Sequence, residues 1–241
     1  MITLYQMPVS HYCEKIRWAL KYKCLPHSYR NLLPGLHRKK ATKLSGQSSL
    51  PIIKEGKKIV SNSADIVDYL DAEFPRFLLT PEDPDLAVEA KAWEQWADKE
   101  IGPAVRTVIY AEILDLPEIV IPLWTQNGPW YGKFVLNRAY PKVRDAIAEH
   151  YVRSPEHVAQ CKRVLHEAIK TQLEKQSSLA PTIGSEFSRA DLAVASLFAP
   201  LFQIGKFGLM WPENLPEGYL NLATEFEAIE PWVKHMYSRY Y

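Results

Sequence analysis

The sequence predicts two domains of different classes: an α/β domain over residues 1–76 and an all-α domain over residues 86–241. Two observations support this. Short runs with strand-like alternation occur only in the first sixty or so residues, and beyond Pro84 the apolar residues recur at helical spacing. Residues 77–85 carry prolines and acidic side chains, which are typical of a linker between domains.

The elements of the first domain follow from local patterns. We expect a hairpin turn at Glu55-Gly56-Lys57 and a helix that begins with Ser63 as its cap. The predicted strands cover residues 2–6, 28–32, 50–53 and 58–60, and the predicted helices cover residues 13–23, 36–45 and 63–74. This βαβαββα order predicts a thioredoxin-like domain.

The second domain is predicted to be helical throughout, with one irregular stretch. We expect Gly102-Pro103 to interrupt and kink the first long helix. Residues 117–132, rich in proline and aromatic side chains, are expected to be partly irregular. The predicted helices cover residues 86–114, a segment from Ser154-Pro155 onward, a segment after residue 188, and residues 218–240.

The start of the helix after residue 188 carries a capping box. Ser188 can bond the backbone N–H of Asp191, and Asp191 can reach back to Ser188. Phe187 and Leu192 stand at the positions of a hydrophobic staple. Such a cap contributes about 1 kcal/mol, so we assign it to folding and not to chemistry.

Composition and charge exclude several classes of protein. The 241 residues are 47% apolar and 24% charged, with a net charge of +1, which argues against a dedicated binder of nucleic acid or of anionic membranes. No apolar run reaches the length of a membrane span, and no signal peptide is visible. Cys13, Cys24 and Cys161 lack metal-ligand spacing and are typical of reduced thiols, so we expect a cytoplasmic protein without a metal.

The most informative segment is the first strand, turn and helix, from Thr3 to Leu20. It delivers Ser10 to the first turn of a helix, where free backbone N–H groups and the helix dipole stabilise an anion such as a thiolate. The spacing Ser10-x-x-Cys13 is that of a dithiol redox turn with serine in place of its first cysteine. A plain helix cap is the alternative role for Ser10.

These motifs together resemble those of the soluble glutathione transferases, over nearly the whole chain. The resemblance rests on Val9-Ser10-His11-Tyr12-Cys13, the Leu50-Pro51 step, Ser63-x-x-Ile66 before Tyr69-Leu70, and the Ser188-x-x-Asp191 box. It implies a thioredoxin-like domain followed by a helical domain, assembled as a homodimer. It also implies a detoxifying transfer of glutathione, the co-substrate, to a small apolar electrophile.

The resemblance implies a catalytic role for Ser10. In serine-type transferases the hydroxyl at this position donates a hydrogen bond to the glutathione sulfur. Lowering a thiol pKa by two units from about 8.5 requires about 2.7 kcal/mol of preference for the thiolate. One hydrogen bond to a charged acceptor supplies about 1.5–3 kcal/mol, so a hydroxyl and a helix end are sufficient without a general base.

The resemblance also implies a set of glutathione-binding residues: His37, Leu50, Pro51, Asn62 and Ser63. Pro51 is expected to follow a cis bond and to direct the backbone of Leu50 at the cysteinyl unit, although it can also simply start a strand. Ser63 is implied for the γ-glutamyl carboxylate, and Asn62 stands where the family usually has Glu or Gln. His37 is implied for the glycyl carboxylate, although its basic run can equally be a solvated face.

Several alternatives remain open at this stage. Cys13 could instead form a mixed disulfide with glutathione, as in a thiol transferase, or could be a packed core residue. Tyr5 and Tyr12 are further candidates for the activating hydroxyl. Asn62 favours a third possibility, a non-catalytic ligand-binding protein with the same fold.

The second substrate is expected to lie between the two domains. We assign four residues to the walls of this cleft: His11, Arg106, Tyr110 and Trp211. Aromatic walls suit an apolar electrophile, but each of these residues can equally belong to the core.

Overall fold

The computed structural model describes residues 1–176 and 178–241 of the chain. The predicted βαβαββα order of the first domain is confirmed. Its elements are β1 Ile2–Gln6, α1 His11–Tyr22, β2 His27–Asn31, α2 His37–Ser45, β3 Ile52–Glu55, β4 Lys58–Ser61 and α3 Ser63–Glu73. The helical class of the second domain is confirmed as well. Its elements are α4 Pro84–Ile113, α5 Pro117–Thr125, α6 Gly132–Ile147, α7 Pro155–Lys175, α8 Arg189–Phe198, α9 Glu217–Glu225 and α10 Glu230–Tyr240.

The four strands form one mixed sheet in the order β2-β1-β3-β4. β1 runs parallel to β2 and antiparallel to β3, and β3 runs antiparallel to β4. The carboxyl ends of β1, β2 and β4 therefore lie at the same sheet edge as the start of β3. This topology brings the loops that precede α1, α2 and α3, and the loop that precedes β3, to one side of the domain.

The start of α3 differs from the prediction. The cap is Asn62, whose side-chain oxygen accepts from the backbone N–H of Ala64 at 3.1 Å, and Ser63 is the first helical residue. Asn62 has φ 75° and ψ 131°, a sparsely populated conformation for a residue with a side chain. The prediction failed because Ser and Asn are both good caps, and sequence alone does not choose between neighbours.

The long helix α4 is not interrupted at Gly102-Pro103, contrary to the prediction. It continues through both residues for thirty residues in all. Gly102 is buried against the ring of Tyr12, and Pro103 faces solvent. Packing on both sides of the pair, through Ile101 and Ala104 among others, stabilises the helix more than the lost backbone hydrogen bond destabilises it.

The segment 117–132 is also more regular than predicted. Residues Pro117–Thr125 form α5 although Pro122 lies inside it, because five of its apolar side chains are buried: Ile119, Val120, Ile121, Leu123 and Trp124. The prediction missed α6, which contains Pro141 and continues into a π-helical turn at Ala148–Val152. The last predicted helix is divided at Phe226 into α9 and α10, with Pro231 in the first turn of α10.

The capping box at the start of α8 is confirmed. The Asp191 carboxylate accepts from the backbone N–H of Ser188 at 2.9 Å, and the Ser188 hydroxyl accepts from the backbone N–H of Ala190 at 3.3 Å. Ser154 likewise caps α7 through the N–H of His157. All ten residues of α8 are buried, so this helix forms the centre of the second domain.

The two domains share one apolar core. Trp18 of α1 is fully buried, stacks on Phe187 at 5.3 Å, and donates from its indole N–H to the backbone oxygen of Tyr240 at 2.9 Å. Within the ranges that the structure describes, no helix is both long and apolar enough to span a membrane.

The contact between Gly102 and Tyr12 gives a test of this docking. A methyl group at position 102 would overlap the Tyr12 hydroxyl and lie 2.6 Å from its Cζ atom. In an open helix Gly→Ala gains about 1 kcal/mol, but here we expect Gly102→Ala to cost about 1–3 kcal/mol through overpacking. Urea unfolding of Gly102→Ala, Tyr12→Ala and the double variant measures this. In the Tyr12→Ala background the cost should disappear, and an unchanged cost would contradict the proposed contact.

Candidate active site

The loops that carry the residues predicted to bind glutathione lie at one edge of the sheet. Tyr5, Ile52 and Ser61 form a register row across β1, β3 and β4 near this edge. The chain leaves β1 toward Ser10 and leaves β4 toward Asn62, and it enters β3 from the Leu50-Pro51 step, which has the predicted cis bond. Topology therefore brings these loops to one edge, as a binding site for one extended ligand requires.

Ser10 is positioned at the amino end of α1. Its backbone is extended, with φ −81° and ψ 121°, and its hydroxyl oxygen accepts from the backbone N–H of Cys13 at 3.3 Å. The backbone N–H of Ser10 itself donates to the oxygen of Met7 at 3.0 Å. The cap uses a lone pair of the hydroxyl oxygen, which leaves its O–H available to donate to a ligand.

Cys13 lies one turn into α1 and is fully buried. Burial raises the pKa of the Cys13 thiol, although hydrogen bonds with Ser10 and with the Met7 backbone oppose this effect. The thiolate is the nucleophilic form of cysteine. This environment therefore makes Cys13 a poor nucleophile and gives an external disulfide no access to it.

The two tyrosine candidates are placed differently. Tyr5 alternates with the buried residues Leu4 and Gln6, so it projects from the sheet face opposite to them. α1 packs on the Gln6 face, where Arg17 donates to the Gln6 amide oxygen at 2.7 Å. The Tyr12 hydroxyl donates to the backbone oxygen of Asp98 at 2.6 Å, and burial together with Asp98 raises its pKa.

Ser63 is buried at the start of α3, with 4% of its surface exposed, and a lysine approaches its hydroxyl. Lys15 Nζ lies 3.3 Å from Ser63 Oγ and donates to it. The Ser63 O–H thus remains available as a donor at the positive end of a helix, an environment that suits a carboxylate.

Lys15 belongs to a buried network of charges that joins four helices. Its ammonium lies 2.8 Å from a carboxylate oxygen of Glu94 and 2.8 Å from one of Asp98, both on α4. Arg189 of α8 contacts the other Glu94 oxygen and also pairs with Asp68 of α3. The side chains of Lys15, Glu94 and Arg189 are at most 1% exposed. We refer to these five residues as the interdomain charge network.

His37 is the first residue of α2. Its backbone N–H donates to Leu33 at 3.0 Å, and burial lowers the pKa of its imidazole. Its Nδ1 atom is buried and has no hydrogen-bond partner within the described residues. The preceding loop packs on the helical domain, because Gly35 faces Val143 and Leu33 faces Gly132.

The residues assigned to the second-substrate cleft separate into two groups. His11, Arg106 and Tyr110 lie close to one another around the rings of Tyr12 and Tyr151. Burial, followed by the charge of Arg106, lowers the pKa of His11 to about 3, so its imidazole is neutral.

Trp211 is not part of that group. Its ring packs on Phe207 and Tyr219, and its indole N–H lies 3.4 Å from the backbone oxygen of Ile204. The structure therefore gives Trp211 an environment separate from that of Arg106.

Sequence analysis missed the interdomain charge network. Its members are spread from position 15 to position 189, and no local spacing connects them. The only available signal was that Lys15 lies beside the apolar residues Ile16 and Ala19 on a helix that is buried along most of its length. A lysine in that position requires a buried partner.

Comparisons with known proteins support the class of the first domain and the fold of the whole chain. Residues 4–81 match the family model described as Glutathione S-transferase, N-terminal domain. Comparison with curated sequences finds no match. Among solved structures the chain is similar to the beta-etherase LigF from Sphingobium sp. strain SYK-6, with a TM-score of 0.70 and 18% identity over 99% of this chain and 95% of that one.

Two further structures have the same architecture. One is a glutathione S-transferase from Methylobacterium radiotolerans in complex with glutathione sulfonate, with a TM-score of 0.61 and 21% identity over 100% of this chain and 95% of that one. The other is human glutathione-S-transferase T1-1 in its apo form, with a TM-score of 0.62 and 17% identity over 97% of this chain and 84% of that one. Residues 4–81 thus match the glutathione S-transferase N-terminal domain model, and the whole chain has the fold of these solved structures.

The interdomain charge network makes a prediction about stability. Removing one partner of a buried ion pair costs about 3–5 kcal/mol because the remaining charge stays buried and uncompensated. We expect that loss for Lys15→Met, measured by urea unfolding. The matched control is Lys21→Met on the same helix, where the lysine is exposed and stacks on Tyr241, and it should cost less than about 1 kcal/mol. An equal loss of unfolding free energy in the two variants would contradict the conclusion that the charge of Lys15 stabilises the interdomain charge network.

Proposed function

We propose that this protein is a glutathione S-transferase that holds the glutathione thiolate at Ser10 and transfers it to a carbon electrophile. The observation that carries the proposal is the hydrogen bonding of Ser10. Its oxygen accepts from the helix backbone, so its one proton can be donated to the ligand in place of the neighbouring Cys13 sulfur, at the positive end of α1. A hydroxyl in that position donates to a thiolate more favourably than to a thiol.

The free energies are of the right size. A bound thiol whose pKa falls from about 8.5 to about 6.5 requires about 2.7 kcal/mol of differential stabilisation. A hydrogen bond to a charged acceptor supplies about 1.5–3 kcal/mol, and a helix amino end adds about 0.3–1 kcal/mol. Ser10 and the dipole of α1 together therefore suffice, and no titrating base is needed.

The other contacts proposed for glutathione are with residues of the loops at the same edge of the sheet. In this proposal the backbone of Leu50, before Pro51, pairs with the cysteinyl unit of glutathione as an added strand. Ser63 and the amino end of α3 hold the γ-glutamyl carboxylate, and the free amide N–H group of Asn62 adds a donor there. His37 faces the glycyl carboxylate.

The reaction is a nucleophilic displacement or addition at carbon. The thiol proton is released to solvent, and the thiolate sulfur donates an electron pair to form the new C–S bond. In a displacement the leaving group departs with the electrons of the bond that breaks, and in an addition the electrons of the broken π bond take up a proton from water. Glutathione enters as a co-substrate. In keeping with the resemblance, we propose that the protein works as a homodimer in the cytoplasm, in detoxification of electrophiles.

The buried state of Cys13 argues against the thiol-transfer alternative. A mixed disulfide requires an accessible thiolate at Cys13, whereas this side chain is fully buried and its pKa is raised by burial. The remaining alternative is a ligand-binding protein without turnover.

The test compares two substitutions of Ser10, one that removes the hydroxyl and one that retains it, with a substitution that removes the Cys13 thiol. With glutathione and an activated aryl chloride, Ser10→Ala should lower kcat/KM about 10- to 150-fold, which corresponds to the loss of about 1.5–3 kcal/mol. Ser10→Thr retains the hydroxyl and should retain most of the activity, and Cys13→Ala should change kcat/KM less than about threefold, because it removes no contact to the ligand.

Each other outcome has a definite meaning. Activity that depends on Cys13 and not on Ser10 would contradict the proposal and favour thiol transfer. Retention of the parent protein on immobilised glutathione without any turnover would favour a ligand-binding protein. Since Ser10→Ala also removes a helix cap, its unfolding free energy is measured in parallel, and a loss of about 1 kcal/mol is expected from that source.

A further inference from the structure

Arg106 is a partly buried cation, and none of the residues that the structure describes gives it a carboxylate partner. Its guanidinium lies 4.4 Å from the ring centroid of Tyr151 and 5.8 Å from that of Tyr12, so two aromatic rings flank it. Its Nε atom is buried, and no hydrogen-bond acceptor reaches it among the residues the structure describes. No acidic side chain lies within ion-pair distance of Arg106 in residues 1–176 and 178–241.

Two arginines that are more deeply buried, Arg17 and Arg189, behave differently. Arg17 pairs with Glu14 at 2.6 Å, and Arg189 pairs with both Glu94 and Asp68. Burying a charge without a partner is costly, which is why buried guanidinium groups are normally paired. Arg106, by contrast, keeps a buried Nε–H donor and its positive charge available for an anion that the described residues do not supply.

A second unpartnered polar group lies beside Arg106. His11, the residue after Ser10, is 6% exposed, and its Nε2 atom has no hydrogen-bond partner in the described part of the chain. The His11 ring lies 4.8 Å from that of Tyr12, and the charge of Arg106 contributes to the low pKa of His11. Two unsatisfied buried atoms, one on α1 and one on α4, thus lie around the ring of Tyr12, and the first belongs to the residue directly after Ser10.

The segment that places Tyr151 against Arg106 has an unusual backbone conformation. Tyr151 belongs to the π-helical turn Ala148–Val152, and Arg153 directly after it has φ 61° and ψ −70°, a strained conformation. π-helical turns and strained residues occur preferentially at functional sites. Tyr151 also contacts Tyr110, so the aromatic surface continues away from the guanidinium.

We propose that Arg106 is the binding residue for a carboxylate on the second substrate, so that the electrophile is an aromatic or apolar molecule with an anionic end. The carboxylate accepts hydrogen bonds from the guanidinium, and the apolar body lies against Tyr110, Tyr12 and Tyr151. This inference rests on the proposed glutathione chemistry, and it refines the expectation of a purely apolar electrophile.

The test uses two conjugates of glutathione that differ in one group. S-(para-carboxybenzyl)glutathione carries the carboxylate, and S-(para-carbamoylbenzyl)glutathione has a neutral amide of the same shape. We expect calorimetry to show that the parent protein binds the carboxylate conjugate at least about tenfold more tightly, as for one charged hydrogen-bonded contact. Arg106→Gln should abolish this preference, and Arg106→Lys should restore part of it.

The matched control is Arg163→Gln on α7, where the guanidinium is exposed and hydrogen-bonds only to Gln160. This variant should keep the full preference. Equal affinity of the parent for both conjugates would overturn the inference while leaving the glutathione site intact. Failure to bind either conjugate, or glutathione itself, would instead contradict the proposed function.

Two further readouts address other roles of Arg106. If Arg106→Gln weakens S-methylglutathione as much as the carboxylate conjugate, then Arg106 binds glutathione itself and the inference is wrong. If Arg106→Gln does not fold, the parent comparison still decides, because a preference for the carboxylate that declines with added salt requires a cation in the cleft. A parent protein without that preference rejects the inference whatever the variant does.

Discussion

The buried ammonium of Lys15 is the contact on which the arrangement of the site depends. It connects α1, which carries Ser10, to Ser63 at the start of α3 and to two carboxylates on α4. Arg189 extends the same network to α8 and binds the backbone oxygen of Ala64 in the first turn of α3. Because each buried charge needs the others, the amino ends of α1 and α3 keep a fixed position relative to each other and to the second domain.

In the proposed function, the fixed helix amino ends stabilise the thiolate and the carboxylates of glutathione. The donors proposed for these groups are hydroxyls and backbone N–H groups, which need no change of protonation. His11 and Cys13 fit this proposal, because neither side chain is charged near neutral pH: burial lowers the pKa of His11 and raises the pKa of Cys13. Arg106, which has no carboxylate partner among the described residues, is the cation that we propose for the second substrate.

Local sequence patterns were sufficient for the element order of the first domain and for the cap of α8, but not for the choice of Asn62 over Ser63 as the cap of α3. Alternation in β1 and the Ser188-x-x-Asp191 box are short-range signals that were predicted correctly, and the cis bond before Pro51 was implied by the resemblance and is present. Local patterns gave the wrong prediction where contacts with distant parts of the chain determine the structure. One example is α5, which stays helical through Pro122 because its apolar side chains are buried. The network around Lys15 and the missing partner of Arg106 depend on residues far apart in the chain, so no spacing in the sequence could reveal them.

The central claim is that the Ser10 hydroxyl stabilises a bound thiolate, and the most direct measurement is the pKa of glutathione in its complex. Ultraviolet absorbance of the thiolate, titrated against pH, gives this value for the parent, Ser10→Ala and Ser10→Thr. The account predicts a pKa near 6.5 for the parent, about two units below that of a free thiol, with a rise toward the free value in Ser10→Ala and little change in Ser10→Thr. A bound thiol with an ordinary pKa, or a lowered pKa that survives Ser10→Ala, would contradict it.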